Sequence, residues 1–192
     1  LVVGVTGASG ALYAVRLLQR VAPQCERIDV IFSENAPAVL ATELDITLSR
    51  PYTSKAYLGQ EYPSVRFLGT KDYFTPPASG SYVHDGMVII PSSMGTLGRI
   101  ANGISDDLIT RAADVCLKER RRLILVPRET PFNLIHLRNM TALAEAGATI
   151  LPAIPSFYNQ PKTVEEVVDT VVARVLQHLG LPQSITPAWQ EG

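Results

Sequence analysis

The most constraining feature of this chain is a set of short, continuously apolar runs separated by segments with helical periodicity. Leu1 to Thr6, Ile28 to Phe32, Met87 to Ile90, Leu123 to Val126 and Thr149 to Leu151 are β-rich, and several show little polar alternation. A strand that is apolar on both sides has to be covered on both faces, as a parallel strand flanked by helices is. Between the runs, Ala11, Val15, Leu18 and Ala22 recur at spacings of 4, 3 and 4, a helical stripe. Further helices are expected from a Ser33 cap to about Glu43, from Ser92 to Asn102, from Asp106 to Glu119, from Asn133 to Ala146 with Gly147 closing it, and from Thr163 to Leu179. In the last of these, Val164, Val167, Val168, Val171 and Val175 form the stripe expected to be buried. Pro91 is expected to end its strand. Residues 44 to 85, rich in Pro, Tyr, Gly and Ser, read as a long irregular loop, which in a compact domain is usually functional or involved in assembly. The pattern predicts an α/β fold: a doubly wound, mostly parallel sheet with helices on both faces. Its 192 residues fit one domain spanning 1–192.

Composition narrows the function. The net charge of −1 argues against nonspecific attraction to nucleic acid or membranes. No apolar run approaches the ~18 residues that span a bilayer. Leu1–Val5 is apolar but lacks a basic leader and reads as a strand, so a cytoplasmic protein is expected. The missing initiator Met suggests that a few residues precede Leu1. The two cysteines, Cys25 and Cys116, have no CxxC or His-rich neighbours, so neither a zinc site nor a disulfide framework is expected. A hydrophobic fraction of 46% against 18% charged residues leaves room for apolar surface hidden between subunits.

The turn Gly7-Ala8-Ser9-Gly10 stands between a strand and a helix, an arrangement that binds phosphate through backbone N–H groups and the helix dipole. A plain tight turn is the alternative. A P-loop would need Gly-Lys-Ser/Thr, but Ala11-Leu12 follow Gly10. A dinucleotide fingerprint would need G-x-G-x-x-G, but Gly4, Gly7 and Gly10 are three apart. A short-chain dehydrogenase would need Tyr-x-x-x-Lys, and Tyr52 to Lys55 is one residue short. FMN remains, with one phosphate and a flat ring. A second hydroxyl-rich helix start, Ser92-Ser93-Met94-Gly95-Thr96, follows a strand, and open α/β sheets bind ligands at that edge. Simple capping by Ser92 or Ser93 is its alternative.

Charged residues supply further candidates, each with an ordinary surface reading beside it. Arg111, Asp114 and Lys118 project from one side of their helix, whereas Cys116 lies among Ile109, Ala112 and Ala113 and reads as a core filler. Arg128 follows a strand, where its guanidinium can fork onto a phosphate. Arg174 sits at the margin of the last helix's apolar stripe, Tyr158 lies just ahead of that helix, and Glu43 ends an earlier one.

Taken together, these segments resemble the UbiX-type flavin prenyltransferases. The matching pieces are Thr6–Ala11, Ala41-Thr42-Glu43, Pro76–Ser81, Arg111–Arg121, Val126–Pro131, Pro155–Pro161 and Val172–Leu176, in order along essentially the whole chain. The resemblance implies a Rossmann-like (flavodoxin-like) flavoprotein that transfers a dimethylallyl group from dimethylallyl monophosphate to N5 and C6 of reduced FMN. The product would be the prenylated-FMN cofactor of UbiD-type decarboxylases, made without a metal. It further implies flavin contacts at Gly7, Ala8, Ser9, Ser33, Ser93, Met94, Gly95, Thr96 and Arg128. An allyl-phosphate clamp is implied from Lys118, Arg128, Tyr158 and Arg174, with Glu129 beside it. Ser9 and Glu43 would handle a proton near N5. Glu34 stands where some relatives carry Lys and is treated as non-catalytic; Trp189 is a possible aromatic contributor. The resemblance also suggests a large homo-oligomer, up to a dodecamer, with sites shared between subunits.

Two other functions fit the fold. A decarboxylase of the cysteine-containing flavoprotein family would need an active-site His and Cys, and His84, His136 and His178 have no Cys in a comparable loop. A non-enzymatic FMN carrier would not need the Lys118, Arg128, Tyr158 and Arg174 cluster.

Overall fold

The computed structural model describes residues 1–186. Its strands are β1 (Val2–Val5), β2 (Ile28–Phe32), β3 (Val65–Leu68), β4 (Met87–Ser92), β5 (Leu123–Pro127) and β6 (Thr149–Ile150). Its helices are α1 (Ala11–Val21), α2 (Ala36–Leu44), α3 (Ser54–Leu58), α4 (Met94–Ala101), α5 (Leu108–Lys118), α6 (Leu134–Glu145) and α7 (Val164–Leu179), with a 3₁₀ turn at Pro76–Ala78. The strands form one sheet in the order β3-β2-β1-β4-β5-β6, and every pair is parallel. Of the two common doubly wound orders this is the 3-2-1-4-5-6 arrangement, whose topological switch lies between β1 and β4.

The expected burial of the strands holds where it was strongest. Every residue of β1, β2, β4 and β5 is buried. One apolar cluster joins the sheet to α1 and α7 through Leu17, Leu18, Val171 and Val175. The other joins it to α4 and α5 through Leu97, Ile109, Ala112 and Cys116. Cys116 is wholly buried, and burial pushes its thiol up to about 12. It is a packing residue, as its neighbours in sequence suggested.

Four expectations need correcting. The segment 44–85 is not uniformly irregular: it supplies α3 and the edge strand β3, which pairs with β2 from Ile28↔Val65 to Ile31↔Leu68. An edge strand is only half covered, so it lacks the continuous apolar run that marks the central strands. Strand β4 runs through Pro91 to Ser92, with a register shift against β5 between Ile89 and Ser92. Proline cannot donate to the ladder, but its carbonyl still accepts from Thr6 N (3.3 Å) and from Thr6 Oγ1 (2.7 Å). Ser33 does not cap α2, whose N-cap is Asn35. Val164 is 67% exposed, because the first turn of α7 projects beyond the sheet before Val168 and Val171 reach the core. Trp189 lies outside the described residues.

Candidate active site

The loops that leave the carboxyl ends of β1, β2, β3 and β4 line a cleft that reaches the switch point. Thr6, buried at the end of β1, ties the two central loops together. Its hydroxyl donates to Pro91 O and accepts from Ser93 N (2.9 Å) and, more weakly, from Ala8 N (3.4 Å). Ser93 caps α4: Oγ accepts from Thr96 N (3.2 Å) and donates to Thr96 Oγ1 (3.0 Å). In front of these lies a polar cleft of about 350 Å³ lined by Gly7, Ser33, Asn35, Thr70, Lys71, Ser93, Thr96, Arg99 and the carboxylates of Asp106 and Asp107. Toward β3 it meets an aromatic pocket of about 390 Å³ walled by Phe32, Tyr52 and Phe67. Toward α2 it opens past Gly7 and Asn35 to Ser9, Thr42 and Glu43.

The cleft fits a flavin mononucleotide. Ser33 Oγ is buried with no hydrogen-bond partner, although it lines both the polar cleft and the aromatic pocket. A buried hydroxyl without a partner is costly and points to a missing acceptor or donor. Gly7 passes so close to Asn35 that a Cβ would lie 2.7 Å from Asn35 Cβ. The first-turn N–H groups of α4 at Met94 and Gly95 have no intrahelical acceptor. A Cβ at Gly95 would meet nothing within 4 Å, so the backbone there is open to a ligand. Ala8 is buried in the β1–α1 loop, and its N–H is turned toward Thr6.

Glu43 occupies a position that periodicity alone would assign to the surface. It leaves the last turn of α2 and reaches across to the start of α1. Its Oε2 accepts from Gly10 N (2.9 Å) and Ala11 N (2.8 Å), and its Oε1 from Gly10 N (3.2 Å). Partial burial pushes its carboxyl upward, but hydrogen bonds from the Ser9 hydroxyl, Ala11 N and Gly10 N, with the charge of Arg128, outweigh that and hold it below the ordinary range. Ser9 and Glu43, expected as a pair, therefore stand together. Arg128 joins them from the end of β5: its backbone N–H bonds Ser92 O (3.3 Å), and its side-chain stem runs beside Gly10. Tyr13 lies beneath; burial raises its phenol, opposed by Arg128. The β1–α1 turn is thus not an open phosphate cradle, because the chain's own carboxylate fills the start of α1.

The residues expected to form one phosphate clamp are divided within a single chain. Arg128 and Glu129 follow β5 at the carboxyl edge. The loop carrying Tyr158 is anchored at the same edge by Ala153 N to Pro127 O (2.9 Å) and by Ser156 N to Thr170 Oγ1 (3.2 Å). Helix α5 begins there too, where Leu108 N bonds Thr70 O (2.8 Å). It then runs back about 16 Å, at 1.5 Å per residue over its 11 residues, to put Lys118 at the opposite edge. There Lys118 pairs with Glu119, beneath Gly80. Arg174 lies in the third turn of α7, exposed and bonded to Gln177, on the way to Leu179, whose carbonyl accepts from Arg122 just ahead of β5.

Several lining residues escaped the sequence reading. Thr70 and Lys71 follow the unrecognised β3. Arg99 lies three residues after Thr96 on the same face of α4 and bonds Thr96 Oγ1 (3.2 Å), Asp106 (2.6 Å) and Asp107 (3.1 Å). That i, i+3 spacing was the available signal. Lys71 Nζ holds Asp106 O (2.7 Å). No cluster of His, Cys, Asp or Glu among the described residues could hold a metal ion. Nor is any helix among them long and apolar enough to cross a membrane.

A Rossmann-order sheet with this cleft is the framework of a flavin-binding protein, and residues 1–176 match the family described as Flavoprotein. The chain is 49% identical over 191 residues to the flavin prenyltransferase UbiX of Pseudomonas aeruginosa, covering 97% of this chain and 91% of that one. Among solved structures it is similar to AnUbiX (PadA1) in complex with FMN and dimethylallyl pyrophosphate. The TM-score is 0.88 at 38% identity, over 100% of this chain and 97% of that one. It is also similar to a dodecameric FMN-dependent UbiX-like decarboxylase from Escherichia coli O157:H7, with TM-score 0.87, 40% identity and 98% of each chain covered. The chain belongs to the UbiX family of flavin prenyltransferases.

Proposed function

We propose that this chain transfers a dimethylallyl group from dimethylallyl monophosphate to N5 and C6 of reduced FMN, and that residues 1–192 form a single flavin-binding domain. The observation that carries this reading is the Glu43 carboxylate bonded to the start of α1 with Ser9 and Arg128 beside it, next to the polar cleft across Gly7 and Asn35. Bound reduced FMN supplies the electron-rich N5 and C6 that take the allyl carbons. Gly7, Ala8, Ser9, Ser33 and Arg128, together with Ser93, Met94, Gly95 and Thr96 at the start of α4, would hold the flavin and its phosphate.

The remaining work falls to charge and proton handling. A monophosphate leaves reluctantly, so cations placed where charge grows on it lower the barrier. Arg128 is one such cation. Glu43, held ionised by its three donors, is suited to accept a proton and not to give one at neutral pH; the Ser9 hydroxyl bonded to it offers the path. Lys118 ends α5 at the edge of the sheet opposite Arg128, and Arg174 is exposed on α7 and bonded to Gln177, so a complete clamp would draw on a second copy. Homo-oligomerisation, as a dodecamer, is therefore part of the proposal. Large exposed apolar residues support it: Phe74, Leu134, Ile135, Phe157 and Val164. Delivery of the product to a UbiD-type decarboxylase follows from the reaction. A cytoplasmic location is supported by two free cysteines.

A thiol-dependent flavin decarboxylase is disfavoured by geometry. Cys25 follows α1 and Cys116 lies near the end of α5, both at the edge away from the cleft. Anaerobic incubation with reduced FMN and dimethylallyl monophosphate, followed by mass spectrometry of the released flavin, tests the proposal. A flavin heavier by one prenyl unit is expected; unchanged FMN, with reductant and substrate verified, would refute it.

A further inference from the structure

Sheets with this strand order commonly take dinucleotides. The pyrophosphate then sits on the N–H groups at the start of α1, and the two nucleoside halves lie to either side. Two parts of such a site persist here. One is the aromatic pocket beyond β2, walled by Phe32, Tyr52 and Phe67 with Arg50 and Lys71 at its rim, which can face a nucleobase. The other is the polar cleft across the switch point, which meets the first at Ser33, Glu34, Thr70 and Lys71. The part between them is altered. Gly10 N and Ala11 N, the groups a pyrophosphate would use, both donate to the Glu43 carboxylate. Ser9, the hydroxyl of that turn, is turned to the same carboxylate, and Arg128 provides the facing cation.

We propose that Glu43 is a specificity-determining residue: its carboxylate stands in for the pyrophosphate and restricts the cleft to a mononucleotide, excluding flavin and pyridine dinucleotides. An incoming pyrophosphate would have to displace a well-bonded anion or lie beside it, and like charges at that range repel. A mononucleotide escapes the conflict because its one phosphate can use the hydroxyl-rich start of α4 instead. The role is additional to proton handling and rests on the proposed function only in taking FMN as the resident nucleotide.

The test reads binding, not prenyl transfer, so its failure is separable from failure of that reaction. The wild-type protein, Glu43→Ala and Glu43→Gln, each with the allyl-phosphate clamp saturated by dimethylallyl monophosphate so that only the start of α1 is read, are titrated with inorganic pyrophosphate, oxidised FMN and FAD by calorimetry at low and moderate salt. The wild type is expected to bind FMN in strong preference to FAD and to ignore pyrophosphate. In Glu43→Ala the FAD-to-FMN affinity ratio should rise by about tenfold or more, and pyrophosphate should bind with an affinity that falls with salt. Glu43→Gln keeps the side-chain shape without the charge and should fall between the two. Circular dichroism identifies folded protein; if Glu43→Ala does not fold, the Gln variant carries the comparison alone. Pyrophosphate binding to the wild type, or an unmoved ratio with no pyrophosphate binding in the folded variants, would overturn the proposal.

Discussion

Two helix starts face each other across the switch point, and in sequence they look alike. Gly7-Ala8-Ser9-Gly10 precedes α1, and Ser92-Ser93-Met94-Gly95-Thr96 leads into α4; each combines small residues, hydroxyls and a strand behind it. In the structure they serve opposite ends. The α1 start is closed, because Glu43 accepts its first N–H groups. The α4 start is open: Ser93 and Thr96 bond one another, and Arg99 reaches Thr96 Oγ1 while paired with Asp106 and Asp107, so among the described residues no carboxylate is bonded to the first N–H groups of α4. A carboxylate that comes from 33 residues away decides which of two similar turns can take a phosphate. A glycine-rich turn therefore reports backbone access and not occupancy, which depends on what the rest of the fold delivers to it.

The sharpest way to break this contrast is to neutralise the resident carboxylate. Glu43→Gln should keep FMN binding, because the α4 side is untouched, and lower kcat for prenyl transfer by on the order of a hundredfold. Single-turnover assays under anaerobic conditions measure this, with flavin affinity taken separately. Equal rates would remove Glu43 from the chemistry and leave it a structural cap for α1.

The second effect concerns Arg128, the one clamp cation that stands beside Glu43 in the same chain. Arg128→Lys keeps the charge but loses the planar fork, and should raise KM for dimethylallyl monophosphate by about tenfold with a smaller change in flavin affinity. Steady-state titration with the allyl phosphate checks it. A larger loss of flavin than of allyl phosphate would move Arg128 from the clamp to the flavin.

How much of this was legible in the sequence follows physical lines. The central strands were readable because burial on both faces leaves no polar residues to interrupt them. β3 was not, since none of Val65, Arg66, Phe67 and Leu68 is fully buried on its edge, Arg66 is exposed, and the strand sits in a segment dominated by turn formers. The α4 cap and the buried Cys116 were legible from local pattern. The Glu43 contact was not, because nothing near position 43 specifies a partner at Gly10; only likeness to a family singled it out. The separation of Lys118 from Arg128 was invisible for a related reason. Sequence order says which helix carries a cation, but the direction in which that helix crosses the sheet decides the edge it reaches.

On the open side, Ser93→Ala removes both the cap of α4 and a hydroxyl lining the cleft. Loss of a cap costs about 1 kcal/mol of stability, and FMN affinity should fall by a few-fold to about tenfold. Chemical denaturation and flavin-fluorescence titration read the two separately. A stability loss with unchanged flavin affinity would make this serine a cap only, and the open helix start would lose its claim on the phosphate.

The smallest effect separates the two starts by pH. Glu43 is held below the carboxylate range in the folded chain, first against its own partial burial and then by Ser9, Ala11, Gly10 and Arg128. A group depressed in this way contributes stability at pH values above its unfolded pKa, near 4.3 for a glutamate. That contribution is lost as pH falls through the lower folded value. His84 acts earlier on the acid side: burial, opposed by its bond to Gly86 O, lowers its pKa, so protonation below the unfolded value near 6.5 weakens the fold. Wild-type thermal stability should therefore decline in two steps on acidification. Glu43→Gln should keep the step below about 6.5 and reduce the one below about 4.3, to which Glu119 beside Lys118 also contributes, whereas Ser93→Ala should lower the whole curve without changing its shape. If Glu43→Gln leaves the lower step intact, the carboxylate is not bonded to the start of α1 in solution. Both helix starts would then be open to a phosphate, and the contrast drawn between them would fail.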